Sequence, residues 1–132
     1  MTPKDKILEK LILFDYNYVD KSNQLIINLD FSHQISIDFN NDKIIITDKL
    51  IHWNFLTGGI SMSLKNAMIY SFIGINLFIL LSIFGISDYY KLNIIPLFMG
   101  YIVWVLLFTI YYSAKKESFI QLINLWLNES VK

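Results

Sequence analysis

Residues 67–86 read AMIYSFIGINLFILLSIFGI, and residues 94–112 read IIPLFMGYIVWVLLFTIYY. Neither stretch contains a charged residue. Each has about the 20 residues that a helix needs to cross a hydrocarbon core of roughly 30 Å. The sequence therefore predicts a membrane protein with a two-helix transmembrane hairpin, whose spans cover about 64–86 and 94–112. The alternative interpretation is that the two segments form the core of a soluble helical domain.

The composition excludes several kinds of chemistry. The chain has 132 residues and a formal net charge of zero, and it has no basic block that would suggest a nucleic-acid partner. It has no cysteine, which excludes disulfides, a thiolate nucleophile and cysteine-based metal sites. All 11 basic residues are lysine, so bidentate guanidinium clamps on phosphate or carboxylate are excluded as well.

The residues before the hairpin, 1–60, predict a small α+β cap. Thr2 can act as the N-cap of an amphipathic helix over 3–14, with Pro3 in the first helical position. A polar loop is expected over 15–23. Apolar and polar residues then alternate over 24–31, 33–39 and 50–55, and 43–47 is a short β-branched run. This pattern is typical of an antiparallel β-meander of three or four strands. Asn40 and Asn41 suit a turn, and 57–59 is expected to be a flexible joint.

The positions of the lysines predict the orientation of the hairpin. The loop between the two spans carries Lys91 and Asp88, whereas Lys49, Lys65, Lys115 and Lys116 flank the opposite ends. The positive-inside rule then places both termini in the cytoplasm or the matrix. The expected location is a bacterial inner membrane, with an organellar inner membrane as the alternative. Residues 114–132 form an amphipathic helix that either continues the second span or bends away from it. That helix is expected to pack on the sheet, with the membrane surface as the alternative.

Small and polar residues on the two spans predict where helices pack closely. Asn76 is the amide near the middle of the first span, and a hydrogen bond to another helix is the favoured interpretation. Trp104 lies near the middle of the second span and is expected to fill space against the small residues. The predicted packing positions are Ala67, Ser71, Gly74, Asn76, Ser82, Gly85 and Gly100. The candidate surface for a protein partner comprises Ile51, Trp53, Phe55 and Trp126.

No catalytic or cofactor motif is found in the sequence. Residues 38–42 have the opening spacing of a calcium loop, but Lys43 and Lys49 stand where that loop needs a glycine and a bidentate acid. His33 and His52 lie in predicted strands without further ligands nearby, so hydrogen-bonded structural histidines are favoured over metal ligands. The chain is therefore not expected to be an enzyme or to hold a cofactor.

The sequence leaves three functions open. The first is an accessory or scaffold subunit of a membrane complex, which contacts lipid and binds a protein partner or a second copy of itself. The second is a homo-oligomeric pore lined by Asn76, and the third is a membrane-bound immunity or regulatory protein. In outline the chain is similar to small bacterial proteins that join a two-span hairpin to a few strands, including pleckstrin-homology-like ones. No motif accompanies this likeness, so it implies no site residue.

Overall fold

A computed structural model describes residues 2–40, 43–84 and 88–129, without the side chains of 88–93. Four strands form one antiparallel sheet in the order β1-β2-β3-β4, so the β-meander is confirmed. The helices are α1 before the sheet and α2 and α3 after it. In chain order the elements are α1 Pro3–Leu13, β1 Asn17–Lys21, β2 Gln24–Leu29, β3 His33–Asn40, β4 Lys43–Leu50, α2 Leu64–Phe84 and α3 Asp88–Asn128.

Helix α1 begins with a capping box, in which two residues satisfy each other's backbone groups. The Thr2 hydroxyl accepts a hydrogen bond from the Asp5 N–H at 3.2 Å, and the Thr2 N–H donates to the Asp5 carboxylate at 2.9 Å. Pro3 occupies the first turn, where its missing N–H costs little. The predicted N-terminal helix is therefore confirmed, with Asp5 completing the cap.

Two predictions about the strands are wrong. The expected polar loop over 15–23 contains β1, which pairs with β2 in the register Asn17↔Asn28. Strand β1 lies at the edge of the sheet and is largely exposed, so its sequence lacks the alternation of a half-buried strand. The strand expected over 50–55 is absent, because β4 ends at Leu50 and a loop follows. Of the expected Asn40–Asn41 turn, Asn41 lies outside the described residues.

One face of the sheet forms the first hydrophobic core. The buried side chains of β2 and β3 pack against α1 and against the last turns of α3. The C-terminal part of α3 thus covers the sheet, which was the favoured expectation for residues 114–132. The core residues are Ile7, Leu11, Leu25, Ile27, Ile35, Ile37, Phe119, Ile123 and Trp126.

Helix α3 joins the second apolar segment to the sheet without a break. It has 41 residues, which corresponds to about 60 Å. Pro96 lies inside this helix rather than in its first turn, because α3 begins at Asp88, eight residues earlier. The part of α3 that follows Ser113 therefore keeps a fixed direction relative to the part that precedes it.

Helices α2 and α3 are both long and apolar enough to cross a membrane. Among the 18 most apolar consecutive residues of each helix, the chain itself buries only 11% in α2 and only 6% in α3. A helix from the core of a soluble domain would be mostly buried. The alternative of a soluble helical core therefore does not fit the packing of the described residues.

Candidate functional site

The sheet meets the two long helices at a second hydrophobic cluster. This cluster, called the junction below, comprises Leu50, Leu56, Leu64, Ala67, Val105 and Tyr112. Its members come from the end of β4, the loop 51–63, the start of α2 and the middle of α3. The junction therefore sets the position of the hairpin relative to the sheet.

Asp48 ties three elements together at the junction. Its carboxylate on β4 accepts hydrogen bonds from the Lys116 ammonium of α3 at 2.6 Å and from the backbone N–H of Leu64 at 2.8 Å. Leu64 opens α2, so the negative charge also lies at the positive end of that helix dipole. The Asp48 side chain is only 9% exposed. Sequence reasoning missed this role, because Asp48 is flanked by Thr47 and Lys49 and looks like part of a solvated strand face.

His33 is buried beside this ion pair. It is 1% exposed, and neither ring nitrogen has a hydrogen-bond partner among the described residues. Its ring lies edge-on to Tyr112, with centroids 5.5 Å apart. Burial lowers the pKa of His33 below the ordinary value, while the Asp48 carboxylate raises it and the Lys116 ammonium lowers it. His33 is therefore a neutral core residue near pH 7, and the expectation of a hydrogen-bonded histidine is wrong.

Asn54 determines the conformation of the loop 51–63. Its side-chain oxygen accepts hydrogen bonds from the N–H groups of Leu56 and Thr57 at 3.1 and 2.9 Å. Its side-chain nitrogen donates to the Thr57 hydroxyl at 2.8 Å and to the Gly58 carbonyl at 3.1 Å. Gly58 has a φ of +63°, a conformation that glycine adopts without strain. The prediction of a flexible joint over 57–59 is therefore wrong, because these residues form an ordered turn.

Polar side chains of α2 and α3 bind the backbone of this loop. The Trp104 indole N–H donates to the Phe55 carbonyl at 2.9 Å, and the Ser71 hydroxyl donates to the Leu56 carbonyl at 3.4 Å. Tyr112 accepts from the Phe55 N–H at 3.4 Å and donates to the carbonyl of Phe31 at 2.8 Å. The loop is thereby held against both helices.

The predicted packing positions are divided between the junction and the hairpin surface. Ala67 and Ser71 are buried at the junction. Gly74 allows close approach of α3, because a Cβ there would lie 3.2 Å from the Tyr101 hydroxyl. Asn76 and Ser82 donate to carbonyls of their own helix, those of Phe72 and Phe78, both at 2.8 Å. Gly85 lies outside the described residues.

Two apolar clefts lie between α2 and α3. One has a volume of about 580 Å³ and contains both Gly74 and Gly100; the other has about 350 Å³ and lies nearer the far end of the hairpin. Phe78 and Phe98 stack between the helices with ring centroids 5.2 Å apart. The cleft residues are Phe55, Gly74, Phe78, Leu97, Gly100, Tyr101 and Trp104 in the first, and Ile79, Ser82, Ile83, Ile94, Ile95 and Phe98 in the second.

The candidate partner surface is not one continuous patch. Trp126 lies in the first core, with Phe119 and Tyr16 against its ring. Phe55 stacks on Phe108 at 4.3 Å and is half-buried, as is Ile51. Trp53 alone among the four presents most of its side chain, with 75% exposed.

No group of three or more His, Asp or Glu side chains that could hold a metal ion occurs among the residues that the structure describes. No family model matches the chain, and no curated protein or solved structure matches it either.

Proposed function

We propose that this chain is a small integral membrane protein that acts by binding another protein inside the bilayer. The observation that carries the proposal is the apolar surface of α2 and α3, which the chain itself leaves almost wholly exposed. Lipid covers such a surface at little cost, and a partner helix adds van der Waals packing where small residues allow close approach.

The cleft that contains Gly100 is the favoured contact site within the hairpin. A Cβ at Gly100 would meet no atom within 4 Å, so the helix surface there is open. The sheet side offers less, because α1 and α3 already cover the apolar face of the sheet. The role that fits is therefore an accessory or scaffold subunit whose cap is held at the membrane and whose hairpin contacts the partner.

Site-specific photocross-linking in native membranes tests this proposal. A photoreactive residue replacing Leu97, which lines the cleft, should give a discrete adduct with another protein, whereas one replacing the exposed Ile45 of β4 should not. The substitution Gly100→Leu fills the open cleft and should reduce the adduct yield at least tenfold. Only lipid adducts from Leu97, an adduct that Gly100→Leu does not weaken, or extraction of the chain by carbonate without detergent would each refute the proposal.

Asn76 supports a second candidate, a homo-oligomer. The side chain is exposed midway along α2, where an amide in lipid is costly without a partner. Its nitrogen bonds the same helix, and its oxygen can accept a hydrogen bond from a neighbouring copy. If the partner is a second copy, the Leu97 adduct should have twice the mass of the chain, and Asn76→Leu should weaken it. A pore made from such a ring should in addition lose flux with Asn76→Leu.

A further inference from the structure

We infer that the loop 51–63 is a re-entrant element, submerged in the bilayer beside the two spans rather than lying in water above it. The inference rests on the proposed membrane placement of α2 and α3. It concerns a different part of the chain, for which the sequence predicts a strand and a flexible joint.

The lengths of the helices carry the first step. Helix α2 has 21 residues, about 30 Å, which equals the thickness of the hydrocarbon core. A span of about 20 residues in α3 crosses the same thickness. Counted from Asp88 or from Ile94, this span reaches the boundary on the sheet side at about residue 108 or about residue 114. Ser71 is then about 10 Å inside that boundary, and Trp104 about 6–15 Å inside it. The loop carbonyls that these two side chains bind must lie at the same depth.

Hydrogen bonding within the loop carries the second step. Non-helical backbone is tolerated at membrane depth only where its polar groups are satisfied by protein. From Asn54 to Gly58 all five backbone N–H groups have acceptors: the Gly58 carbonyl, the Tyr112 hydroxyl, the Asn54 side chain twice, and the Asn54 carbonyl. The carbonyls of Asn54, Phe55, Leu56 and Gly58 all accept hydrogen bonds. A loop in water would not need this many side chains to satisfy its backbone.

The charge pattern carries the third step. No Lys, Asp or Glu lies between Lys49 and Lys65, and both of these lysines are exposed. The outward side chains of the loop include Trp53 and Ile60, which are large, apolar and exposed. Lysines on either side of a submerged segment can extend their ammonium groups to the headgroups. The same placement accounts for Trp104, because its indole N–H, deep in the span, is satisfied by the loop.

Depth-dependent fluorescence quenching tests this inference, and the cysteine-free chain allows single labels. The full chain is reconstituted in vesicles of phosphatidylcholine and phosphatidylglycerol, with a polarity-sensitive dye on one introduced cysteine. The loop labels are Ile60→Cys and Gly59→Cys, since a Cβ at Gly59 meets no atom within 4 Å. Val19→Cys on β1 is a matched control for Ile60, as both side chains are 47% exposed, and Leu80→Cys marks the span.

Both loop labels should be blue-shifted and quenched at least twofold by lipids brominated near the headgroup end of the acyl chain. The Leu80 label lies four residues, about 6 Å, from the far end of α2 and should be quenched by the same lipids in the opposite leaflet, whereas the Val19 label should not be quenched. Loop labels that behave like Val19 while Leu80 is quenched would overturn the inference and leave the proposed function intact. Quenching of Val19 together with the loop would also overturn it, since the whole cap would then lie on the membrane. An unquenched Leu80 label would overturn both proposals.

Discussion

At the scale of single residues, the side chain of Asn54 replaces the strand pairing that the sequence led us to expect. It bonds two N–H groups and a carbonyl of the following residues at once. Asn54→Ala leaves the N–H groups of Leu56 and Thr57 unpaired at a buried position, whereas the Gly58 carbonyl keeps its bond from the Asn54 backbone. An unsatisfied buried group costs about 1–3 kcal/mol. We expect a loss of about 3 kcal/mol in the free energy of unfolding, measured by denaturant titration in detergent micelles.

Asn124→Ala is the matched control, because Asn124 is exposed on α3 and alanine suits a helix. Its effect should lie within about 0.5 kcal/mol of zero. If the two variants proved equally stable, the loop would not depend on the Asn54 side chain.

His33 gives the fold a dependence on pH. Its pKa in the folded chain is lowered, chiefly by burial, so the folded state binds a proton less readily than the unfolded state. As the pH falls through the ordinary value of about 6.5, the unfolded chain gains a proton and the folded chain does not. The contribution of His33 to the free energy of unfolding is therefore fully present above about pH 6.5. Below that pH this contribution declines by at most about 1.4 kcal/mol per pH unit. Melting curves collected across this range measure the slope.

His33→Phe should remove this slope, because phenylalanine keeps an aromatic ring against Tyr112 and cannot take up a proton. His52→Asn is the control: His52 is exposed, and asparagine tolerates its φ of 51°. The control should keep the slope of the parent chain. A slope that survives in His33→Phe would assign the pH dependence to other groups.

At the scale of elements, the ion pair of Asp48 and Lys116 joins β4, α2 and α3. Asp48→Asn leaves the Lys116 ammonium without its carboxylate at a site that is largely shielded from water. Breaking one partner of such a pair is costly, and we expect a loss of about 2 kcal/mol in the free energy of unfolding. Asp30→Asn breaks the exposed contact with Lys115 at 3.5 Å and should cost less than about 0.5 kcal/mol. Equal losses in chemical denaturation would show that the Asp48 contact is an ordinary surface pair.

At the scale of the whole molecule, the first core requires α1 and the C-terminal part of α3 to lie on the same side of the hairpin. Ile7 of α1 and Phe119 of α3 belong to one cluster. Cysteines introduced at the exposed positions Glu9 and Asn124 should therefore react with an impermeant thiol reagent from the same side of the membrane. The lysine distribution predicts that this side is the cytoplasm. Reaction of the two positions from opposite sides would contradict the topology.

Local patterns account for much of the fold. The uncharged runs predict α2 and the apolar part of α3, the alternation predicts β2 and β3, and Thr2 with Pro3 predicts the start of α1. Strand β1 was missed because an edge strand buries too little to need alternating residues. The loop was read as a strand because Ile51, Trp53 and Phe55 alternate, although Asn54 between them binds the backbone and prevents a ladder. The packing and partner positions remain predictions that the proposed cross-linking addresses.

The sequence by itself determined where the long apolar helices lie, since helix length and the absence of charge are local properties of the chain. It also determined that the residues before the hairpin form an antiparallel meander. Only the tertiary structure decided how these parts join: Asp48 pairs with Lys116 across 68 positions, and the Phe55 backbone meets Trp104 and Tyr112 across 49 and 57. Such contacts depend on how β4, α2 and α3 pack, which no local pattern records. The two helices of the hairpin can therefore be predicted from the sequence, whereas their attachment to the sheet and the placement of the loop beside them cannot.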